Sequence, residues 1–489
     1  MATASHPYAP ESMDAALAEF LRGWSAYEQT RSLDELRATE YARLDALDQV
    51  YLDYTGGGLY SDSQLREHMA LLSRGVFGNP HSTNPTSQAA TELDEHARAF
   101  VLDYFNASPD EYCVVFTQNA SGALKLVGEA YPFAPGGQYL LTFDNHNSVN
   151  GVREFARARG ATVTYSPVTP PDLRIDEERL RTSLATAAPG VANLFAYPAQ
   201  SNFSGVQHPL EWIAEARSQG WDVLLDSAAF APTNRLDLSR WKPDYVPLSF
   251  YKMFGYPTGV GALIARKAAL DKLHRPWFAG GTITISSVQG DGYYLAEGQT
   301  AFEDGTINYL TLPAVEIGLK YLASAGVETV HERVMCLTGW LLDQLTALRH
   351  SNGQPLVRVY GPTTTEARGG TITVNFVDPS GKVIDHRVVE DAASKVNISL
   401  RTGCFCNPGA GENALGLTAD ELKDCFHHEE RMTFEQFIVA MSQKDVEAVG
   451  AVRISLGIAS NFTDAYRFMA FATTLLDTSA GELTGQETA

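Results

Sequence analysis

Short apolar runs alternate with amphipathic segments between about residues 85 and 265 of this chain. Such alternation is typical of strands that are each followed by a helix. The predicted strands are 112–116, 139–142, 162–165, 192–197, 222–225 and 260–264, and helices are predicted from 121, at 152–159, at 176–187 and from 209. This pattern predicts an α/β fold with a mostly parallel sheet between helices, whose ligands lie beyond the carboxyl ends of the strands.

The pattern changes near residue 310, where two long helices are predicted at 312–323 and 328–348. Alternating strands follow at 371–376, 396–400 and 452–456, with a last helix at 462–476. Because 489 residues exceed the usual size of one core, we expect more than one domain. The predicted units are an N-terminal helical segment (1–48) that packs on the small domain, a large domain (49–310) and a small α+β domain (311–489).

Composition restricts the possible functions. The net charge is −21 and no long basic run is present, which argues against binding to nucleic acid or to an anionic membrane. We find no signal peptide and no apolar run long enough for a transmembrane helix. Five cysteines are few and odd in number, so we expect reduced thiols and a cytoplasmic location.

A lysine among aromatic residues is the first candidate for chemistry. Lys252 lies in the segment 249–257 (SFYKMFGYP), and Asp226 ends the apolar run before it. A buried lysine is costly unless it loses its charge or uses it. One use is a Schiff base to pyridoxal phosphate, with an acid on the pyridinium nitrogen. The alternative is a surface lysine and an ordinary strand-end aspartate.

Three further polar segments each follow a predicted strand. Residues 117–122 (TQNASG) open a helix and form a candidate phosphate site, or only a helix cap. His146, in 144–148 (DNHNS), has the chemistry to stack on a planar cofactor or move a proton, although a lone histidine is more often structural. Asn202, in 200–205 (QSNFSG), has the chemistry to bind a phenolic oxygen, or is part of a turn.

Two features of the C-terminal part are also candidates. The segment 401–410 (RTGCFCNPGA) places two cysteines around one phenylalanine, which suits a reactive thiolate. The alternatives are a zinc site with His427 and His428, or two inert buried cysteines. Arg453 is a charge inside an apolar strand, which suits bidentate capture of a carboxylate or an internal salt bridge.

Together, and in this order, these motifs resemble the class V aminotransferase family of fold type I pyridoxal phosphate enzymes, specifically its cysteine desulfurase branch. The resemblance extends from Tyr51 to Phe468. The two longest motifs, 249–259 and 401–410, are similar to those of the aminotransferase-like domain of molybdenum cofactor sulfurases.

The resemblance implies a role for each cofactor residue. Lys252 would form the Schiff base, Asp226 would pair with the ring nitrogen and His146 would stack on the ring and shuttle protons. Asn202 would contact the ring hydroxyl. The residues implied at the phosphate are Asn119, Ala120, Ser121, Ser249, Tyr251 and Thr306. Thr306 matches a threonine that reaches the neighbouring subunit, which implies a homodimer with shared active sites.

The resemblance also implies a reaction. Arg453 would bind the substrate carboxylate beside Thr55 and Gly56, and Cys406 would take sulfur from L-cysteine as a persulfide, releasing alanine. The sulfur would then pass to an acceptor, for which a protein is one candidate. Two alternatives are a pyridoxal phosphate C–S lyase or transaminase that acts on a modified cysteine or another amino acid, and a non-enzymatic sulfur-relay protein with a vestigial site.

Three departures from the family pattern bear on specificity. The segment 53–57 (DYTGG) replaces the small pair that usually follows a His, Asn or Ser. Ala229 occupies the position where many desulfurases have a ring-contacting Gln. Molybdenum cofactor sulfurases carry a further C-terminal domain, whereas this sequence ends at Ala489. We therefore expect delivery to the molybdenum cofactor only if a separate protein supplies that domain.

Overall fold

A seven-stranded sheet forms the centre of the computed structural model, which describes residues 8–423, 425, 432–444 and 447–484. Its strands are β1 Tyr112–Thr117, β2 Gln138–Thr142, β3 Thr162–Ser166, β4 Asn193–Pro198, β5 Asp222–Asp226, β6 Tyr245–Ser249 and β7 Gly261–Arg266. Their order is β1-β7-β6-β5-β4-β2-β3, and only β7 runs antiparallel to its neighbours. The predicted mostly parallel sheet is therefore confirmed.

The sequence analysis did not identify β6 as a strand. Pro247 lies in its middle, and proline is rare in central strands because it has no N–H to donate to the ladder. In the structure Pro247 nevertheless pairs in register with Leu263 of β7. The omission matters because β6 leads directly into the helix Phe250–Phe254, which carries Lys252.

Both faces of the central sheet are buried. Successive side chains of a strand point to opposite faces, so Val114 and Phe116 of β1 join one hydrophobic core while Cys113 and Val115 join the other. The helices associated with this sheet are Asp62–Arg74, Pro85–Tyr104, Ala120–Ala130, Asn147–Asn150, Val152–Ala158, Glu177–Leu184, Trp212–Ser218, Lys267–Leu270 and Pro313–Ala325. The carboxyl ends of its parallel strands remain available for a site.

A second sheet is smaller and antiparallel. It consists of β8 Val357–Tyr360, β9 Thr371–Phe376, β10 Arg401–Gly403 and β11 Ala451–Ser455 in the order β8-β9-β11-β10. The α-helices of this region are Val327–Ala347, His386–Ser394, Pro408–Ala414, Ala419–Lys423, Phe434–Ser442, Phe462–Thr473 and Ala480–Thr484. Among the described helices, none combines the length and apolarity needed to span a bilayer.

The N-terminal helices pack against this second region. They are Met13–Gly23, Ser32–Glu40 and Arg43–Ala46, with 3-10 turns at Pro10–Ser12 and Ser25–Thr30. Phe20 stacks on Phe462 with ring centroids 4.9 Å apart, and Arg37 pairs with Asp464 at 2.6 Å. The short strand Val50–Tyr51 then pairs in parallel with Ile398–Ser399.

Five short elements remain. The strands Val168–Thr169 and Arg174–Ile175 pair with each other, and Ile283–Ser287 forms an antiparallel hairpin with Gly292–Leu295. A 3-10 turn, Gly298–Phe302, follows the hairpin.

Candidate active site

A cleft of about 660 Å³ opens at the carboxyl ends of the parallel strands. It is lined by most of the predicted cofactor residues, namely Asn119, Ala120, Ser121, His146, Asn202, Asp226, Ser249, Tyr251 and Lys252. These residues follow different strands, and the fold brings them together as the alternation of strands and helices predicted.

Lys252 supplies the amine that lines this cleft. The helix Phe250–Phe254 begins directly after β6 and points the lysine into the cleft. Its Nζ forms no hydrogen bond or ion pair with any residue that the structure describes. Burial lowers the pKa of Lys252, an effect that the nearby Asp226 carboxylate opposes. A larger fraction of the amine is therefore neutral and nucleophilic than for an exposed lysine.

Asp226 and His146 present polar atoms to the same space. Asp226 is 7% exposed, and its Oδ1 accepts a hydrogen bond from the Ala228 N–H at 3.0 Å. The Nδ1 of His146 accepts from the Ser148 N–H at 3.1 Å, which leaves a proton for Nε2. Burial, reinforced by the charge of Lys252, lowers the pKa of His146, so the ring is neutral near pH 7.

The predicted phosphate site lies at the start of the helix Ala120–Ala130. The side chain of Asn119 caps this helix by accepting from the Gly122 N–H at 2.9 Å, and the Ala120 N–H donates to Ser249 Oγ at 2.9 Å. The hydroxyl of Ser121 lies 2.6 Å from that of Ser148. Hydroxyls and a helix N-terminus in one place suit a phosphate dianion.

Asn202 joins this cleft to the loop that carries Cys406. Its Nδ2 donates to the carbonyl of Phe405 at 2.7 Å, and its Oδ1 accepts from Asn407 Nδ2 at 2.8 Å. The Asn147 N–H also donates to the carbonyl of Cys406 at 2.7 Å. The amide of Asn202 retains one N–H, so binding the loop and contacting a cofactor are compatible.

The two cysteines of this loop have different environments. Cys406 is exposed, with a left-handed φ of 54°, whereas Cys404 is partly buried and donates to the carbonyl of Val449 at 3.3 Å. Burial raises the pKa of the Cys404 thiol. Of the two, Cys406 is the more accessible thiol.

Arg453 lies behind Asn202 and is 3% exposed. Its Nη1 donates to the carbonyl of Asn202 at 3.0 Å, its Nη2 pairs with Asp53 Oδ1 at 2.9 Å, and its guanidinium lies 4.8 Å from the centre of the Phe405 ring. Its Nε is buried without a hydrogen-bond partner. Burial lowers the pKa of Arg453 despite the Asp53 carboxylate.

Asp53, Arg401 and Asn407 are site residues to which sequence reasoning assigned no role. Asp53 pairs with Arg401 as well as with Arg453. The available signal was an acid that ends a short strand just before glycines. Gly56 makes this arrangement possible, since a Cβ at that position would lie 2.5 Å from Asp53 Oδ2.

Two predicted residues, Thr55 and Thr306, do not line the main cleft but line other clefts. Thr55 lines an adjoining cleft of about 430 Å³ that also contains Lys252 and Ala229, and its hydroxyl lies 2.7 Å from that of Thr371. Thr306 is exposed and lies in another cleft, where it accepts from Asn79 Nδ2 at 3.3 Å. Thr306 does not reach the Lys252 cleft of its own chain.

A metal centre finds no support in the described part of the chain. Its residues contain no group of three or more His, Cys, Asp or Glu side chains placed to hold a metal ion. His427 and His428, the candidate ligands of the zinc alternative, lie outside the described residues.

The family model described as "Aminotransferase class-V" matches residues 50–468. This chain belongs to the class V aminotransferase family. The resemblance stated from the motifs is thereby confirmed, and pyridoxal phosphate is the cofactor that membership indicates.

Curated relatives of this class V chain are named molybdenum cofactor sulfurase. One from Solanum lycopersicum is 36% identical over 93% of this chain and 59% of its own length. One from Homo sapiens is 37% identical over 90% of this chain and 51% of its own length. The chain thus spans about half to three-fifths of the length of these relatives.

The solved structures agree on the fold. An apo cysteine desulfurase from Thermococcus onnurineus NA1 has a TM-score of 0.73 at 22% identity, covering 90% of this chain and 98% of that one. The predicted fold type I architecture is therefore confirmed.

The cleft of this class V chain fits pyridoxal phosphate on three structural observations. Lys252 Nζ is unpaired within the described chain and faces the cleft, as a Schiff-base lysine requires. A buried carboxylate, Asp226, lines the same cleft to receive a pyridinium N–H. The N-terminus of the helix Ala120–Ala130 lies in the cleft wall, where a phosphate would bind.

Proposed function

We propose that this chain is a cysteine desulfurase that transfers the sulfur of L-cysteine to Cys406 and releases L-alanine. The observation that carries the proposal is the docking of the Cys406 loop on Asn202, a residue of the Lys252 cleft. The loop that carries this exposed thiol is thus bound to a residue of the cleft where the substrate would bind. The names of the curated relatives and of the structural neighbour are consistent with sulfur transfer from cysteine.

Bound pyridoxal phosphate would supply an electron sink for the negative charge that develops at the substrate α-carbon. We assign the bond to the cofactor to Lys252, the pairing with its ring nitrogen to Asp226, and the contact with its ring face to His146. Asn202 would donate its remaining N–H to the ring hydroxyl. The phosphate would be bound by Asn119, Ala120, Ser121, Ser249 and Tyr251.

The chain's own groups would bind the substrate and move its protons. Arg453 offers an unpartnered N–H in a buried setting, which suits the substrate α-carboxylate. Thr55 and Gly56 would line the substrate side. Lys252, with its lowered pKa, would remove the α-proton as a general base, and the neutral His146 would take or return a proton.

The sulfur step conserves atoms and electrons. The Cys406 thiolate would attack the substrate sulfur, forming the S–S bond while the C–S bond breaks. The electron pair of the broken bond stays with the substrate carbon, which takes up a proton and leaves as alanine.

The proposed homodimer rests on the position of Thr306. This residue is exposed and remote from its own cleft, so it would contribute only to the phosphate site of a second copy. The hairpin 283–295 lies nearby and exposes Ile285 (62%), Val288 (100%) and Tyr294 (74%), which a second copy would cover. Sedimentation analysis of the full chain would give its mass in solution.

A single-turnover experiment tests the reaction. Incubation with L-cysteine should give alanine and a 32 Da gain, the mass of one sulfur, on the peptide that contains Cys406. A Cys406→Ser variant should lose this gain and its alanine production while retaining the cofactor absorption. A matched Cys404→Ser variant should still gain sulfur, because Cys404 is partly buried and its thiol already donates to the carbonyl of Val449.

The alternative C–S lyase has a distinct outcome. A lyase would release pyruvate and leave Cys406 unmodified, and Cys406→Ser would retain full turnover. That result would replace the desulfurase proposal. If sulfur is found on Cys406, its transfer to the molybdenum cofactor, suggested by the names of the relatives, becomes the next reaction to measure.

A further inference from the structure

Two arginines face each other across neighbouring strands of the second sheet. Arg401 of β10 lies in register with Arg453 of β11. Like charges that are directly opposed destabilise a strand pair. An anion between them would offset this repulsion.

Asp53 supplies that anion from a distant part of the chain. Its Oδ1 accepts from Arg453 Nη2 at 2.9 Å, and its Oδ2 accepts from Arg401 at 2.5 Å (Nη2) and 3.0 Å (Nε). Asp53 is 6% exposed, so its carboxylate is shielded from solvent in both ion pairs. One carboxylate thus serves two guanidinium groups.

The two arginines differ in accessibility. The side chain of Arg453 is 4% exposed, whereas that of Arg401 is 54% exposed. Arg401 therefore approaches Asp53 from the solvent side, and Arg453 approaches it from the interior. The interior guanidinium is also the one whose Nε lacks a partner.

Asp53 would oppose substrate binding if Arg401 did not neutralise it. A carboxylate beside Arg453 occupies part of the guanidinium and repels a second carboxylate. With Arg401 present, the three groups together carry one positive charge, which matches one α-carboxylate. Without Arg401, Asp53 and Arg453 cancel and no net charge remains.

We propose that Arg401 is a positioning residue for the substrate carboxylate, which neutralises Asp53 and so keeps Arg453 available. This inference rests on the proposed function, because it takes Arg453 as the carboxylate site. Arg401 itself does not contact the substrate. Its effect therefore belongs to binding and not to the chemical step.

The test measures KM and kcat for L-cysteine in charge variants. Arg401→Gln should raise KM by about tenfold while kcat stays within about twofold. Arg401→Lys should stay near the wild-type KM because it keeps the charge. The double variant Asp53→Asn/Arg401→Gln should recover most of the lost affinity, since it removes the unneutralised carboxylate as well.

Two controls separate charge from general damage. Cysteamine lacks the carboxylate, so its inhibition constant should be the same in wild type and in Arg401→Gln. Arg358 lies on β8 of the same sheet and forms an exposed ion pair with Glu447. Arg358→Gln breaks this pair and should leave KM unchanged. Thermal melting of each variant identifies those that fail to fold.

The outcomes distinguish this inference from the proposed function. If Arg453→Lys raises KM but Arg401→Gln does not, or if the double variant binds no better than Arg401→Gln, Arg401 has no positioning role and the desulfurase proposal stands. If Arg453→Lys leaves KM unchanged, Arg453 is not the carboxylate site. That result would overturn both the positioning role of Arg401 and the substrate-binding role proposed for Arg453.

Discussion

The Lys252 cleft has a cofactor side and a thiol side that are built differently. On the cofactor side, Asn119, His146, Asp226 and Ser249 each lie at or just after the end of a strand of one sheet. On the thiol side, the decisive contacts join residues that are far apart in sequence. Asp53 and Arg453 pair across 400 positions, and Asn202 binds Phe405 across 203.

The difference shows what positions the residues on each side. A parallel sheet delivers the ends of its strands to one edge, so the cofactor side follows from topology. The thiol side depends on buried charges and on a loop whose Phe405 and Cys406 both have left-handed φ angles. We therefore expect damage to the cofactor side to abolish chemistry, and damage to the buried ion pairs of the thiol side to change binding and stability first.

The largest effect should come from removing the amine of the cofactor side. Lys252→Ala should lower kcat by about 10²–10⁴-fold, because the α-proton loses its general base. It should also remove the absorption band at roughly 400–430 nm that a Schiff base to pyridoxal phosphate gives. Lys272→Ala, which changes an exposed lysine paired with Asp222, is the control. Retention of both the band and the rate in Lys252→Ala would refute the assignment.

A smaller effect should come from the glycine that makes room for Asp53. A Cβ in Gly56→Ala would lie 2.5 Å from Asp53 Oδ2 and displace the carboxylate from both arginines. Breaking a buried ion pair should lower the free energy of unfolding by about 3 kcal/mol and raise KM. Denaturant unfolding measures this change.

The matched control for that substitution is Gly23→Ala. Gly23 ends the helix Met13–Gly23, and a Cβ there would meet no atom within 4 Å. This change should leave KM unaltered and stabilise the fold by about 0.5 kcal/mol. Equal effects of the two substitutions would show that the Asp53 pocket has no special role.

The smallest effect should come from Asp94, which does not line the Lys252 cleft. This residue is 2% exposed, neither of its carboxylate oxygens has a hydrogen-bond partner, and burial raises its pKa to about 7. Because the folded state favours the protonated form, stability falls as pH rises from about 4, the pKa of an unfolded carboxyl, to about 7.

Asp94→Asn should remove this loss. Its melting temperature should exceed that of wild type at pH 8, by about 2 °C, with no change in KM. The gain should shrink as the pH falls toward 5. Asp103 is an exposed position on the same helix, Pro85–Tyr104. Asp103→Asn should change neither the melting temperature nor KM. A gain that is the same at pH 5 and pH 8 would contradict the role of a buried carboxylate.

The cofactor side could largely be anticipated from sequence. The strand-and-helix alternation gave the sheet, and the polar segments after its strands gave the residues that line the cleft. The exception is β6, where Pro247 interrupts the sequence pattern of a strand. In the structure β6 nevertheless pairs with β7 in continuous register.

The sequence by itself determined the α/β alternation, the order of the motifs and the choice of Asp226 and Lys252 as candidate cofactor residues, because these depend on local patterns and on strand topology. Only the tertiary structure decided that Asp53 lies between Arg401 and Arg453, and that Asn202 binds the Cys406 loop. Such contacts join distant segments, and local propensity carries no information about which buried charge meets which partner. The position of the Cys406 thiol and the charge at the proposed substrate site are therefore tertiary properties.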